Sequence, residues 1–325
     1  EIRFGRSVFP SAFYRGWWTP GLWGGIGSAA AAASLMKLDA TQMDNTLGIA
    51  VNLLPTCMIQ ANEEGNTIKW LLGGQACAAG LVAAEMAARG VKGMRNVIGG
   101  FLPVIADKTL AERLTEGISE DAKFTFWEVA EGIVTKHYAT VGPLFASLDA
   151  AFDLITEHSI QAGDIAEIHA DVMKRTAVFN TVHPENDVAA RGSLPYCLAL
   201  AVCKRDPALL LGPGFADALL RDASIRAMAS RVKITENEDY ENQYPARSLA
   251  RITLKLRNGQ SHTTVVDRSE RGRYLTPTDA DIEGKFRLLV APVLGPAKTD
   301  KLVGLCGRFE ALGDMRELID TLRAE

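Results

Sequence analysis

The sequence has none of the short motifs that identify the common nucleotide-binding and hydrolytic enzymes. No G-x-G-x-x-G run follows a predicted strand, and neither a G-x-x-x-x-G-K-[ST] loop nor a G-x-S-x-G elbow occurs. The run Gly24-Gly25-Ile26-Gly27 lies in a helical setting, where close helix packing explains it better than phosphate binding. These absences argue against a dinucleotide enzyme, a P-loop enzyme and a serine hydrolase.

Cysteine and histidine are scarce, with five of each among 325 residues. The cysteines are scattered and include no C-x-x-C pair, which favours reduced, buried thiols in a cytoplasmic protein over disulfides. The histidines lack the spacing of a metal site. We therefore predict a cytoplasmic location and no bound metal.

The sequence also has no excess of basic over acidic residues and no long apolar run. The net charge of -4 excludes the basic footprint of a nucleic-acid-binding protein. The Ala-rich run at 28–35 is too short for a membrane span, and no signal peptide is visible. We expect neither a nucleic-acid partner nor a membrane partner. The apolar fraction of 47% is that of an ordinary soluble globular protein.

Small residues dominate the stretch from Gly16 to Phe101, so its helices are expected to pack almost backbone to backbone. Asp39 with Gln42 has the pattern of a capping box, which starts a helix. Gly90 stands where a C-terminal glycine cap belongs. Helices are predicted over 23–37, from 39 onward, 68–89 and 96–105, and no strand is expected in this part.

The pattern changes after about Lys136. Residues 165–172 alternate as a strand does, with His169 on the face opposite Ile168, so we expect an exposed strand histidine. Residues 251–257 and 262–266 flank Asn258-Gly259 and predict a hairpin with a type I′ turn. Helices are predicted over 148–156, 187–202, 281–293 and 301–312. The predicted fold is mainly α, with an inserted α+β domain between two helical stretches.

Four polar residues stand in apolar settings: Lys69, Lys136, Arg191 and Tyr196. A charge at the edge of an apolar surface is costly unless it has a partner, which makes Lys69 a functional candidate. An ordinary surface lysine at the start of a helix is the alternative. A phenol at Tyr196 can donate into a cleft, but the residues alone favour a core tyrosine with a satisfied hydroxyl. Converging cations would suit a small polycarboxylate, and a desolvated lysine can act as a general base.

Long, ordered motifs in this chain resemble those of the MmgE/PrpD family. Gly16-Trp17 with 24–33 is similar to the family's G-[FW]-H-P-T-x-x-x-G-x-x-x-A-A-A run, and 65–90 is similar to its G-T-x-T-K-R-L-H-x-G segment and the helix after it. Residues 136–150 are similar to the family's K-x-Y-P…H…I-D-A segment, and 190–196 are similar to its A-[KR]-F-S-x-x-Y segment. Residues 284–286 are similar to a C-terminal K-F.

The resemblance implies a large helical domain with a smaller α+β lid. It assigns 1–135 and 268–325 to the helical domain and 136–267 to the lid. It also implies a homodimer that needs no metal or organic cofactor and acts on small di- and tricarboxylates. Lys69 becomes the active-site lysine and Tyr196 the lid tyrosine that faces it, while Thr67, Lys136 and Arg191 become substrate-binding residues.

The chain departs from the family pattern at four positions where the pattern has histidine. They are Trp18, Leu72, Val141 and Phe145, which the resemblance places along the substrate site. Loss of a histidine that acts as general acid or base lowers the reaction rate by roughly 10²–10⁴-fold. The family's segment ahead of Glu1, with an acidic pair and a histidine, is also absent from this sequence, so we expect it on a separate chain or the sequence to be a fragment.

These features together predict a cofactor-independent lyase that abstracts a proton next to a carboxylate and then loses water or CO₂. The apolar replacements predict a substrate less polar than the family norm. An isomerase or epimerase of the same family is the alternative, because it needs the same proton abstraction. A non-catalytic subunit that needs a partner chain is a further alternative, which the missing histidines support and the retained Lys69 and Tyr196 oppose.

Overall fold

The computed structural model describes residues 1–55, 58–119, 121, 123–129, 135–270 and 277–323, most of them helical. Its α-helices are α1 (Ile2–Val8), α2 (Ser11–Tyr14), α3 (Thr19–Leu35), α4 (Ala40–Leu53), α5 (Gln60–Glu63), α6 (Lys69–Ala88), α7 (Val97–Ile105), α8 (Phe145–Glu157), α9 (Lys174–Ala177), α10 (Asp187–Arg191), α11 (Leu194–Lys204), α12 (Asp217–Leu220), α13 (Ala223–Ala229), α14 (Glu238–Asn242), α15 (Asp279–Leu294), α16 (Pro296–Cys306) and α17 (Arg316–Thr321). Its strands are β1 (Ile165–Val172), β2 (Val232–Glu236), β3 (Leu249–Leu256) and β4 (Ser261–Asp267). The mainly helical fold with a small sheet is confirmed.

The chain divides into two compact units. The first comprises Glu1–Ile133 and Pro184–Ser193, and the second comprises Val134–His183 and Leu194–Glu325. Helices α15 to α17 therefore group with the second unit, whereas the sequence analysis assigned 268–325 to the helical domain. The division into a helical domain and a lid with the predicted boundaries stays a prediction.

Close backbone contact holds α3, α4 and α6 together in the first unit, as the small residues predicted. A Cβ added to Gly80 of α6 would lie 2.0 Å from Ser28 Oγ and 2.6 Å from the Ala29 nitrogen on α3. Ala29, Ala83 and Ala87 are almost completely buried in the same cluster. With so little side-chain volume between them, the helix axes approach more closely than larger residues would allow.

The helix ends follow the predicted capping signals. Asp39 accepts a bond from the Gln42 backbone at 2.8 Å while the Gln42 side chain accepts from the Asp39 backbone at 3.0 Å. Asn96 caps α7 by accepting from the Gly99 nitrogen at 3.0 Å. Gly90 follows α6 with φ +87°, a conformation that costs glycine little.

Helix α6 corrects one expectation from the sequence. It has 20 residues with a mean hydropathy of 1.4 over its most apolar 18-residue window, so by length and composition alone it is long and apolar enough to cross a membrane. The sequence analysis had considered only the Ala-rich run of α3. One face of α6 packs against α3 through glycine and alanine, whereas Trp70, Leu71 and Leu81 are exposed and 33% of the apolar window is buried. A single such helix is weak evidence for a membrane span.

The sheet of the second unit has the order β2-β1-β3-β4. β1 pairs parallel to β2 and antiparallel to β3, and β3 pairs antiparallel to β4. Ile168, Ala170 and Val172 are buried on one face of β1, and an irregularity between Ile165 and Glu167 turns Ile165 inward as well. His169 lies on the other face with its Nε2 at 2.9 Å from a Glu167 carboxylate oxygen. Its predicted face is confirmed, but its side chain is half-buried and not exposed.

The hairpin between β3 and β4 is confirmed, but its predicted type I′ turn is wrong. A type I′ turn needs positive φ at both central residues, whereas Gly259 has φ +87° and Asn258 does not have a positive φ. The Gly259 nitrogen donates to the Leu256 carbonyl at 3.0 Å, and the Leu256 nitrogen donates to Gln260 at 2.8 Å. These bonds describe a turn that ends in a left-handed glycine and a bulge.

Two predicted helices end differently in the structure. The helix expected over 187–202 is two helices, α10 and α11, which are separated at Gly192 and Ser193. The helix expected over 301–312 begins earlier, at Pro296, and ends at Cys306. A proline fits the first turn of a helix because its missing N–H has no partner there in any case.

Replacement of Gly80 by alanine tests the close packing of α3 and α6. Gly80→Ala is expected to lower the free energy of unfolding by about 1–3 kcal/mol, because the added methyl meets backbone atoms that cannot rotate away. The control is Gly74→Ala on the same helix, where an added Cβ has no atom within 4 Å. That change is expected to stabilise by about 0.5–1 kcal/mol. Equal midpoints of the two variants in urea would contradict the packing described.

Candidate functional site

The turn that precedes α6 is fixed by Gly65 in the first unit. Gly65 has φ +72°, and a Cβ there would lie 2.3 Å from both Cα and Cβ of Ala189 on α10. A larger residue is therefore excluded both by conformation and by space. The contact brings the segment that carries Thr67 and Lys69 against the helix that ends at Arg191, although more than a hundred residues separate them in the sequence.

The predicted site residues of the first unit differ in burial. Lys69 is half-buried as the first residue of α6, Thr67 is exposed and Trp18 is half-buried just before α3. Arg191 is half-buried, with its Nε 3.6 Å from a carboxylate oxygen of Asp187. Leu72 is only 8% exposed, so its side chain packs within the unit.

In the second unit, hydrogen bonds at Lys136, Tyr138 and Ala139 hold the segment 135–141 to other parts of the unit. The buried Tyr138 hydroxyl donates to Asp149 Oδ1 at 2.8 Å, and the Ala139 nitrogen donates to the Leu210 carbonyl at 2.8 Å. Lys136 Nζ donates to the Thr140 carbonyl at 3.1 Å. Lys285 Nζ from α15 donates to the Lys136 carbonyl. These bonds hold the Lys285 ammonium group at the Lys136 backbone, near enough for its charge to act on the Lys136 ammonium group.

The two lysines line a pocket of about 340 Å³ between this segment and α15. Two kinds of residue form its wall: the polar ones include Lys136, His137, Asp281 and Lys285, and the apolar ones include Leu211, Pro277, Ala280 and Leu288. Pockets of this size are typical of small-molecule sites. The arrangement can bind a small anion next to hydrocarbon.

Burial and neighbouring charge lower the pKa of Lys136 below its ordinary value. The pocket wall withholds water from the ammonium group, and the positive charges of Lys285 and Arg268 add to this effect. Like charges disfavour the protonated form of an amine, and an anion between them would remove that penalty. The electrostatics of the pocket therefore favour a negatively charged ligand.

Phe145 and Val141 are buried, at 1% and 9% exposure, and Phe145 lies under a charged side chain. The Arg268 guanidinium lies 4.4 Å from the centre of the Phe145 ring, close enough for a cation–π contact. Tyr138 meets the same ring edge-on at 5.5 Å between centroids. Phe145 thus supports Arg268, so one of the apolar positions in the family motif carries a cation on its face.

Tyr196 is 1% exposed in the core of the second unit. Its hydroxyl donates to the Gly214 carbonyl at 2.6 Å, and burial raises its pKa well above the ordinary value. The geometry agrees with the structural role that the residues alone favoured. The catalytic role implied by the resemblance stays a prediction, and so do the roles of Lys69 and the other predicted site residues.

Lys285, Arg268 and His137 are not among the site residues that the sequence predicts. Lys285 appeared only within the C-terminal K-F resemblance, and Arg268 follows β4 with no motif around it. The resemblance of 284–286 was the one signal that pointed to Lys285. Within the described ranges, no group of three or more His, Cys, Asp or Glu could hold a metal ion.

Comparison with known proteins agrees with this architecture. The model of the MmgE/PrpD N-terminal domain matches residues 1–111, and that of the MmgE/PrpD C-terminal domain matches residues 138–306. The chain belongs to the MmgE/PrpD family.

The chain is similar to two cis-aconitate decarboxylases at low identity. It is 22% identical over 343 residues to the one from Aspergillus terreus, covering 98% of this chain and 67% of that protein. It is 24% identical over 320 residues to the one from Homo sapiens, covering 94% of this chain and 62% of that protein. The chain thus spans about two thirds of the length of these relatives.

The variant Tyr196→Phe separates the two roles of this tyrosine. A structural role predicts a loss of about 1 kcal/mol in unfolding free energy, because the Gly214 carbonyl loses its donor. In that role kcat stays within a few-fold of the parent, and this is the result we expect. Urea unfolding and steady-state kinetics measure the two quantities. A fall of about 100-fold in kcat with unchanged stability would assign the hydroxyl to catalysis.

The lowered pKa of Lys136 predicts a pH dependence of stability. Below its folded-state pKa, the folded protein carries a penalised charge; above the ordinary value of 10.5 both states are neutral and the penalty is gone. The stability of the parent relative to Lys136→Met should therefore rise as the pH approaches 10.5. Melting temperatures of the two proteins between pH 7 and 10.5 measure this. A difference that is constant with pH would contradict the described electrostatics, and Lys301→Met provides the exposed-lysine control.

Proposed function

We propose that this protein is a cofactor-independent lyase that abstracts a proton next to a carboxylate of a small organic acid and then loses water or CO₂. The observation that carries the proposal is the pairing of Lys136 and Lys285 at one pocket. A proton next to a carboxylate is weakly acidic, because its removal places a second negative charge beside the first. Fixed cations at the carboxylate stabilise that developing charge.

Family membership supports an enzyme, because the family includes lyases such as the cis-aconitate decarboxylases to which this chain is similar. In the proposal, Lys69 is the base that takes the proton, or holds a substrate carboxylate. Lys69 is half-buried as the first residue of α6. Arg191 and Thr67 are the proposed substrate-binding residues of the first unit. Lys136 and Lys285 are the proposed carboxylate-binding residues of the second unit.

The proposed substrate is less polar than a tricarboxylate. The family pattern has histidine at the positions of Trp18, Leu72, Val141 and Phe145. With these histidines absent, the predicted site has fewer groups that could pair with a second or third carboxylate, and an unpaired carboxylate is penalised by desolvation. We therefore propose that 2-methylcitrate and cis-aconitate are poor substrates. A homodimer in the cytoplasm is also part of the proposal.

Lys69→Ala is expected to abolish activity and leave the fold intact. The assay is exchange of the substrate's acidic C–H proton with D₂O solvent, followed by NMR over a panel of small organic acids that includes cis-aconitate. Exchange into the substrate reports proton abstraction that reverses, as in an epimerase, and formation of product in the same spectra counts as activity when water or CO₂ leaves. The control is Lys92→Ala, which changes an exposed lysine of the same unit. Activity of Lys69→Ala within threefold of the parent would rule out the assignment, and parent protein without exchange on any acid would overturn the proposed function.

A further inference from the structure

The pocket beside α15 has one wall with positively charged side chains and one apolar wall. Lys285 and Leu288 lie one helical turn apart on α15 and both line the pocket. Gly284 also lines it, and an added Cβ there would have no atom within 4 Å. The helix therefore presents an ammonium group and an isobutyl group to the same space, with an open gap in the wall beside them.

The polar wall carries an excess of positive charge. Among the residues that the structure describes, Lys136 and Lys285 face it together with one carboxylate, that of Asp281. That carboxylate already accepts from the Thr278 nitrogen at 2.9 Å and from the Thr278 hydroxyl at 2.6 Å, as part of the cap of α15. The Asp281 carboxylate is therefore committed in part to the helix end, and the lysine pair can hold one further carboxylate.

The apolar wall is formed by Leu211, Pro277, Ala280 and Leu288. Leu288 is 44% exposed, so a large part of its hydrocarbon faces water in the absence of a ligand. Covering such surface favours binding by about 25 cal/mol for each Å² removed from water. A small polycarboxylate would leave this apolar wall in contact with water, whereas a hydrocarbon chain would cover it.

We propose that this pocket binds a monocarboxylic acid with a short hydrocarbon chain, with Lys285 as the carboxylate-binding residue and Leu288 as the residue that selects the chain. The proposal rests on the proposed function in one respect, that the bound acid is the substrate. The pocket's ligand class itself follows from its two walls. Lys136 completes the cationic end from the segment 135–141.

Titration with acetate, butyrate and hexanoate tests the proposal, with binding followed by ligand-observed NMR on the full chain. Hexanoate is expected to bind at least about tenfold more tightly than acetate, since each buried methylene contributes up to about fourfold. Lys285→Met is expected to weaken the binding of all three acids by a similar factor of about ten. Lys285→Arg is expected to keep most of the parental affinity. Leu288→Asn is expected to remove the dependence on chain length and to keep the affinity for acetate.

Matched controls lie on the same and the next helix. Val293→Asn changes a residue of α15 that is 70% exposed and outside the pocket wall, and Lys301→Met removes an exposed lysine of α16. Both should bind the three acids as the parent does. If Leu288→Asn fails to fold, Ala280→Leu fills the apolar wall instead and is expected to weaken hexanoate but not acetate.

The outcomes separate this inference from the proposed function. Equal affinity for acetate and hexanoate, or parental binding by Lys285→Met, would overturn the inference even if an acid is turned over. The expected binding pattern without proton exchange on any acid would support the pocket and reject the lyase. Tighter binding of cis-aconitate than of hexanoate would show that charge, and not the apolar wall, selects the ligand, and would overturn the inference.

Discussion

The close approach of helix backbones is the constraint on which the first unit depends. Gly80 lies against Ser28 and Ala29, and an added Cβ at Gly48 would lie 2.2 Å from the Met94 carbonyl oxygen. At such positions no side chain can adapt to a shift, so the helices have essentially one way to pack. Because Lys69 is the first residue of α6, the same packing determines where that lysine lies in the unit.

The second unit holds its lysines in a different way, through buried hydrogen bonds. Tyr138 and Asp149 are 5% and 2% exposed, and their bond ties the segment 135–141 to α8. That tie, with the bond from Ala139 to Leu210, keeps Lys136 beside Lys285 in spite of their like charge. The fold therefore opposes an electrostatic repulsion at the pocket, an arrangement common where a protein binds a charged ligand.

The local features of this fold could be predicted from sequence because they depend on neighbours in the chain. The capping box of Asp39 and Gln42 and the strand around Ile168 each involve residues a few positions apart. The turn type at Asn258 was wrong because the choice between a I′ turn and a bulged turn depends on strand twist and pairing, which the dipeptide alone does not determine.

Long-range features could not be predicted in the same way. Lys136 and Lys285 meet although 149 positions separate them, and no periodicity relates the two segments. The Tyr196 hydroxyl donates to the backbone carbonyl of Gly214. Because every residue type has a backbone carbonyl, the sequence does not indicate which one accepts this bond. The sequence could therefore propose which residues bear chemistry, through the family motifs, but not which of them share a pocket.

The contact between Gly65 and Ala189 has a consequence for how the chain is made. Residues 184–193 belong to the first unit, although the chain on both sides of them belongs to the second. On the ribosome, the turn at Gly65 emerges long before its packing partner on α10, so the first unit cannot complete its packing until synthesis has passed Ser193. A gene divided near residue 134 would encode an N-terminal half that lacks part of its own core, and only the two halves together could restore it.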